Sequence, residues 1–499
     1  MLIALAAADY LVMAAYGALV LLIGYLANRR QKNTEDYFLG GRKLPWWVVG
    51  VSLMATSFSS VSLIGGTGFG YSVGMMWLQL QIGDLVALVL VCIVFLPFFS
   101  SLRLTTAYEY LEQRFGLRAR SIASALFLGQ TLLRTSILVY SPALALNAIM
   151  GWSIEVSIFV TAGAAILYST FGGIGAVVWT DLVQLLVIVV GVGTCILLTI
   201  TDVPGGLSSI LDWGREHGRL ETVSFKFNPR SNFNVVGTLV PYMVLAFSLF
   251  GTGQQAVQRF LSVKDLRSAR RAAITGWAVG TGALALTLFL GVSIAAWSAL
   301  GAAPVGFPEQ AGDKALALFI EWRLPVGLAG LLLAAVFAAS MSSMDSAIHS
   351  MATAFIVDFK RRFGTRGSTP AAELRTARIT TVVIGILAVG GAMLARGQES
   401  ILATLVTWLG YFAGPLLGLF LLGMLSTRAT ESGALIGVAV AFGFVAVGAL
   451  LDLRTNYGIH PLWLAPSSAG LTFLIGLLAS GIEEAPGREK LDGLTLFTR

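Results

Sequence analysis

The chain has 499 residues, 56 % of them hydrophobic and only 12 % charged, against roughly 25 % charged in soluble domains. With a mean hydropathy of +0.81, it is excluded as a disordered chain, a nucleic-acid-binding domain or a water-soluble enzyme. The formal charge of +7 does not point to nucleic acid, because most Lys and Arg fall in loops of one parity, the positive-inside bias of a membrane protein.

Apolar segments run in chain order over 9–28, 47–72, 78–101, 121–149, 155–171, 176–200, 235–256, 272–299, 326–355, 377–396, 400–424, 432–452 and 463–481. At ~21 residues each, about thirteen such segments use roughly 270 residues and leave short loops. Lipid offers no partner for backbone N–H and C=O groups, so each is expected to be a helix. The runs are continuous, whereas barrel strands alternate over ~10 residues. The expected fold is therefore an all-α integral membrane protein, one transmembrane domain over 1–499. Segments 47–200 and 235–424 hold five spans each, and an odd number inserts two such stretches with opposite orientation, the inverted-repeat plan of many transporters. An extra helix over 9–28, two more over 432–481 and a tail over 482–499 flank them.

Arg29, Arg30, Lys32, Arg42 and Lys43 follow the first span, and Arg103, Arg114, Arg118 and Arg120 the third. Arg259, Lys264, Arg267, Arg270 and Arg271 follow the seventh, and Lys360, Arg361, Arg362, Arg366, Arg375 and Arg378 the ninth. These loops share one side and are assigned to the cytoplasm, with the N-terminus outside and the C-terminus inside. The loop 202–232, with Arg215, Arg219, Lys226 and Arg230, runs weakly against this. The first run is long enough to span and lacks the basic start of a secretory signal. Cys92 and Cys195 sit in apolar runs without ligand-spaced neighbours, as packed thiols do.

The second span is a poor continuous helix. Thr56, Ser57, Ser59, Ser60 and Ser62 are followed by Gly65, Gly66, Gly68 and Gly70. A break near 55–59 would free carbonyl oxygens to face a cation, and the bland alternative is a small-residue packing seam. In the ninth span, Ala339, Ser342, Ser343, Asp345, Ser346 and His349 share a face about 160° wide at ~100° per residue. Such a polar stripe belongs inside the bundle, where hydroxyl oxygens suit a weakly held monovalent cation or plain interhelical hydrogen bonds. Away from the segment ends, four charged side chains lie within spans: Asp84, Arg134, Asp181 and Asp345. Asp84 reads as an interfacial or gating carboxylate, and Asp181 as either a cation ligand or half of a salt bridge. Arg134 cannot lose its charge. It needs a partner, either an internal carboxylate such as Asp84 or the carboxylate of a bound ligand. Trp77 and Gln81, four residues apart, could stack on and hydrogen-bond one polar solute.

Several motifs in order carry a resemblance: Asp36-Tyr37-Phe38-Leu39-Gly40-Gly41-Arg42 before Leu44-Pro45-Trp46-Trp47, then Gly251-Thr252-Gly253-Gln254-Gln255-Ala256-Val257-Gln258-Arg259 and Ala338-Ala339-Ser340-Met341-Ser342-Ser343. Together with the broken span they resemble the sodium:solute symporter family over essentially the whole chain. The resemblance implies a LeuT-type core of two inverted five-helix repeats with flanking helices, and Na+ as the coupling ion. It implies a sodium site at Ala55, Phe58, Ala339, Ser342 and Ser343. A second sodium in some members implies Asp181, Ser342 and Ser346 as ligands, while Asp345 stands where those members commonly have a hydroxyl residue. Ser59, Ser62, Gln81 and Arg134 are similar to the pattern of bacterial sialic acid symporters, in which the matching arginine binds the sugar acid's carboxylate. Ser57 and Trp77 join them as candidate solute contacts.

The expectation is a sodium-coupled secondary symporter, not an enzyme, importing a small polar solute, with N-acetylneuraminate favoured among carboxylate-bearing ones. A neutral sugar, a monocarboxylate or a vitamin acid is the alternative solute. Coupling through protons at Asp345 and His349 is a variant. A membrane sensor is the different-class rival, and the short tail after the last span argues against it. The expected partners are the solute, sodium and the lipid bilayer of the cell membrane, without nucleic acid or an obligate protein partner.

Overall fold

A computed structural model describes residues 6–28, 34–102, 104–225, 238–308, 311–363, 370–394, 401–455 and 461–498. Arg29, Arg30, Lys32, Arg103, Lys226, Arg230 and Arg366 lie outside the described residues. Within them the chain is helical and no strand occurs. The first helices are α1 (Ala7–Asn28), α2 (Thr34–Leu39), α3 (Trp46–Ser57), α4 (Ser60–Ser72), α5 (Leu80–Leu102), α6 (Glu109–Arg114), α7 (Leu117–Met150), α8 (Ile154–Asp202) and α9 (Gly206–Glu216). The remainder are α10 (Val240–Gly251), α11 (Gln254–Leu261), α12 (Leu266–Ala299), α13 (Ala315–Arg323), α14 (Leu328–Ala354), α15 (Arg361–Phe363), α16 (Pro370–Leu394), α17 (Ile401–Leu425), α18 (Glu431–Thr455) and α19 (Leu464–Ser480).

Among the described residues, 8 helices are long and apolar enough to cross a membrane, or 9 with the α3–α4 pair taken as one bent span. Four shorter apolar helices cover Ile154–Leu167, Val240–Gly251, Leu409–Leu425 and Leu464–Ser480. Two boundaries differ from the sequence reading. The segments 155–171 and 176–200 run without a loop into one 49-residue element bent at Gly173, whose φ of 58° only glycine adopts at low cost. The segment read as 235–256 is no single helix: α10 stops at Gly251, Gly253 is extended (φ −71°, ψ 120°), and α11 begins at Gln254.

α14 runs through the centre, with nearly every residue buried. Its N-terminus is capped from afar: Asp9 on α1 accepts from the Gly327 and Gly330 amides at 2.8 Å each. These are orphan donors of a helix start, satisfied here by a buried carboxylate. Glycines let α12 press against α3 and α4. A Cβ at Gly70 would lie 2.1 Å from the Leu288 carbonyl oxygen, and one at Gly291 would lie 2.1 Å from that of Thr67. The packing-seam reading thus holds for Gly66 and Gly70 of the second span, which press on Thr287 and Leu288, whereas Gly65 meets nothing within 4 Å. Cys92 and Cys195 are free and buried. The tail folds back, with Leu494 and Leu496 backbone groups bonded to Tyr110 and Met424.

Candidate functional site

The site begins with a helix end. α3 stops because Phe58 (φ −91°, ψ 102°) and Ser59 (φ −106°, ψ 176°) are extended, and α4 leaves at 66° to it. Ser62 fixes the restart, its Oγ accepting from the Ser59 amide at 3.3 Å. The last carbonyls of α3 lose their intrahelical donors, and in a buried setting each requires a replacement. Ser342 Oγ donates to Ala55 O at 3.0 Å and approaches Ala339 O at 3.1 Å. Ser343 Oγ donates to Thr56 O at 3.1 Å, and Arg134 Nη2 reaches the same oxygen at 3.0 Å. Ala55, Ala339, Ser342 and Ser343 are each nearly or completely buried, and Phe58 is 5 % exposed. The broken span and α14 are thus brought together, with carbonyl and hydroxyl oxygens converging inside the helix bundle.

Beside the break opens a cavity. Ser57, Phe58, Ser62, Trp77, Gln81 and Asp84 line it, together with Tyr242, Phe250 and Trp277. Four of the six solute contacts expected from sequence, Ser57, Ser62, Trp77 and Gln81, are thus assembled on one cavity. Ser59 and Arg134 are not among its lining residues. Arg134 is half-buried and its partner is not a carboxylate: Nη1 donates to Gln255 Oε1 at 2.8 Å, and Nη2 to Thr56 O. Asp84 is paired instead with Gln81 Nε2 at 3.1 Å and the Tyr242 hydroxyl at 3.4 Å. Gln81 is held from its other side by Thr281 and, through its carbonyl, by Trp277 Nε1. Tyr242 and Trp277 were not singled out from sequence; a lone aromatic in an apolar run gives no local sign that it faces a cavity.

A family model described as the sodium:solute symporter family matches residues 37–441. The chain belongs to the sodium:solute symporter family. It is 30 % identical over 443 residues to the sodium/sialic acid symporter SiaT of Proteus mirabilis, covering 87 % of this chain and 88 % of the relative. It is equally 30 % identical over 458 residues to human sodium-coupled monocarboxylate transporter 1, covering 88 % of this chain and 73 % of the relative. A solved structure of a Na+-coupled sialic acid symporter, in a substrate-bound outward-open state, superposes with a TM-score of 0.86 at 27 % identity. That match covers 96 % of this chain and 99 % of the other. The fold is accordingly the all-α, LeuT-type one, and the chain is a multi-pass membrane transporter coupled to Na+, not an enzyme.

In this symporter the residues of the expected second sodium site meet a different cation. Asp181 on α8 is completely buried and forms an ion pair with Arg259 at 3.2 Å. Arg259, read from sequence as a loop cation following the seventh span, is 1 % exposed on α11. It reaches inward because α11 restarts a helix immediately after the Thr252-Gly253 break. The same guanidinium donates to Ser346 Oγ, and the Asp345 carboxylate caps the Ser346 amide at 2.5 Å. A cation inside the Gly251–Arg259 motif was the available sign; what it pairs with lies nearly eighty residues away.

Proposed function

We propose that this symporter carries a small polar solute inward with sodium, and that N-acetylneuraminate leads among carboxylate-bearing solutes. The sodium site of this reading is Ala55, Phe58 and Ala339 through their carbonyls, with Ser342 and Ser343 through their hydroxyls. The observation that carries it is Ser342 Oγ, within hydrogen-bond distance of both Ala55 O and Ala339 O across the break. A sodium ion there would pull the end of α3 against α14. The break presents Ser57 at the end of α3 and Ser62 in the first turn of α4 to the cavity, so the ion orders the solute site without touching it. Sodium and solute then raise each other's affinity by equal factors.

For the solute, Arg134 beside the break supplies a guanidinium whose fork matches a carboxylate bidentately, and Trp77, Gln81, Ser57 and Ser62 offer stacking and hydrogen bonds. The likeness to a sodium/sialic acid symporter supports the acidic sugar. A second reading, a neutral donor-rich solute, is favoured by Asp84, which lines the cavity while Arg134 does not. The stretches 47–200 and 235–424 serve as inverted repeats, each opening with a broken helix, α3–α4 and α10–α11. Exposed Lys264, Arg267, Arg270 and Arg271 after α11 support a cytoplasmic face there, with the N-terminus outside, the C-terminus inside and the cell membrane as location.

The test is uptake into proteoliposomes under an imposed sodium gradient, with N-acetylneuraminate, glucose and pyruvate offered separately. Accumulation of N-acetylneuraminate that collapses without sodium is expected. Accumulation of glucose alone would select the second reading, and no accumulation of N-acetylneuraminate under the gradient would overturn the acidic-sugar assignment.

A further inference from the structure

The Asp181 carboxylate and the Ser346 hydroxyl are oxygens that a second monovalent ion would use, and a guanidinium holds them. Arg259 Nη2 donates to Asp181 Oδ2 at 3.2 Å and to Ser346 Oγ at 2.5 Å. Its Nε donates to Ser52 Oγ at 2.7 Å, and Ser52 Oγ in turn donates to Asp181 Oδ2 at 2.5 Å. Nη1 is spent on the Gln255 carbonyl at 3.0 Å. Every named partner is buried. A guanidinium cannot discharge by losing a proton, so this position holds a full positive charge throughout. A sodium ion entering the same oxygens would meet that charge at contact distance in a poorly screened interior.

We propose that Arg259 is the built-in cation of the second ion site, so that the symporter moves one sodium, the one at the α3 break, per solute. The inference rests on the sodium-coupled reading above. Being covalently attached, Arg259 loses no translational freedom on occupying the site, whereas a free ion does. The arrangement also explains how the occupied site speaks to the first one. Ser346 Oγ, which accepts from Arg259, donates to Ser342 O at 2.6 Å and accepts from Thr56 Oγ1 at 3.0 Å. Ser342 and Thr56 are the residues whose oxygens stand at the break. Through Ser52 and Ser346 the guanidinium ties α11 and α3 to α8 and α14, so these helices part only when Arg259 lets go. Asp181 Oδ1 accepts no hydrogen bond among the described residues, which leaves the carboxylate able to take a free ion once the guanidinium is removed.

The experiment measures the sodium-to-solute ratio in proteoliposomes, from solute accumulation against a set sodium gradient at zero voltage, along with the Hill slope of sodium-activated uptake. The unaltered protein is expected to give one sodium per solute and a slope near one. Arg259→Gln, which removes the charge but keeps hydrogen-bonding atoms, is expected to steepen the slope toward two and raise the ratio. Two sodium ions moved by the unaltered protein would overturn the inference, as would Arg259→Gln with an unchanged slope and ratio. If Arg259→Gln does not insert, Arg259→Lys keeps the charge and is expected to retain the ratio of one; a ratio of two there overturns the inference. Sodium-independent uptake by the unaltered protein would strike down the coupled reading itself, an outcome distinct from a ratio of two.

Discussion

Replacing Ser342 by alanine removes the oxygen on which the sodium site turns. Its Oγ stands 3.0 Å from Ala55 O and 3.1 Å from Ala339 O, and alanine puts no polar atom in its place. A polar contact to a charged partner contributes about 1.5–3 kcal/mol, and each ~1.4 kcal/mol is tenfold in affinity. Ser342→Ala should therefore weaken apparent sodium affinity about 10- to 150-fold. The variant also leaves Ala55 O short of a donor, at a cost of about 1–3 kcal/mol borne by the sodium-free protein as well. Melting temperature alone would confuse the two effects. The informative measurement is the sodium concentration giving half-maximal thermal shift and half-maximal solute uptake. Ser340→Ala is the control: its Oγ bonds Leu138 O at 2.6 Å, so it should lower stability and leave the sodium midpoint in place. A Ser342→Ala midpoint within twofold of the unaltered protein would refute the placement of sodium at the break.

Arg134→Met removes the donors to Thr56 O and Gln255; uptake of an acidic solute should be lost while sodium still raises the melting temperature, and unchanged acid uptake would end the anion argument. Gly70→Ala drives a Cβ to 2.1 Å from the Leu288 carbonyl, and overpacking of this kind costs about 1–3 kcal/mol. Thermal unfolding in detergent should show that loss, whereas Gly65→Ala, with nothing within 4 Å of its Cβ, should be tolerated. Asp9→Asn weakens the charged cap on α14 by about 1 kcal/mol, lowering the melting temperature and shifting the sodium midpoint less than Ser342→Ala does.

Sequence alone marked most of the helical stretches and the break in the second span, though not the break at Gly253. In lipid every backbone polar group must be satisfied within the segment, so an apolar run of twenty residues has essentially one solution. The hydroxyl and glycine cluster over 56–70 marks the place where that solution fails. Ser342 and Ser343 were legible for the same local reason, because a polar stripe in a buried span must face inward. Tertiary structure alone decided the rest. Arg259 looked like a loop cation because it follows an apolar run; only the second break, and the packing of α11 against α3 and α14, turned it onto Asp181. Arg134 was correctly singled out as needing partners, yet its acceptors are a side-chain amide and a freed carbonyl, groups no local pattern identifies. Tyr242, Trp277 and Asp84 became one cavity wall through the angles at which α5, α10 and α12 meet. Those helices come from positions up to about two hundred residues apart in the chain, and contacts at that separation leave no periodicity to read.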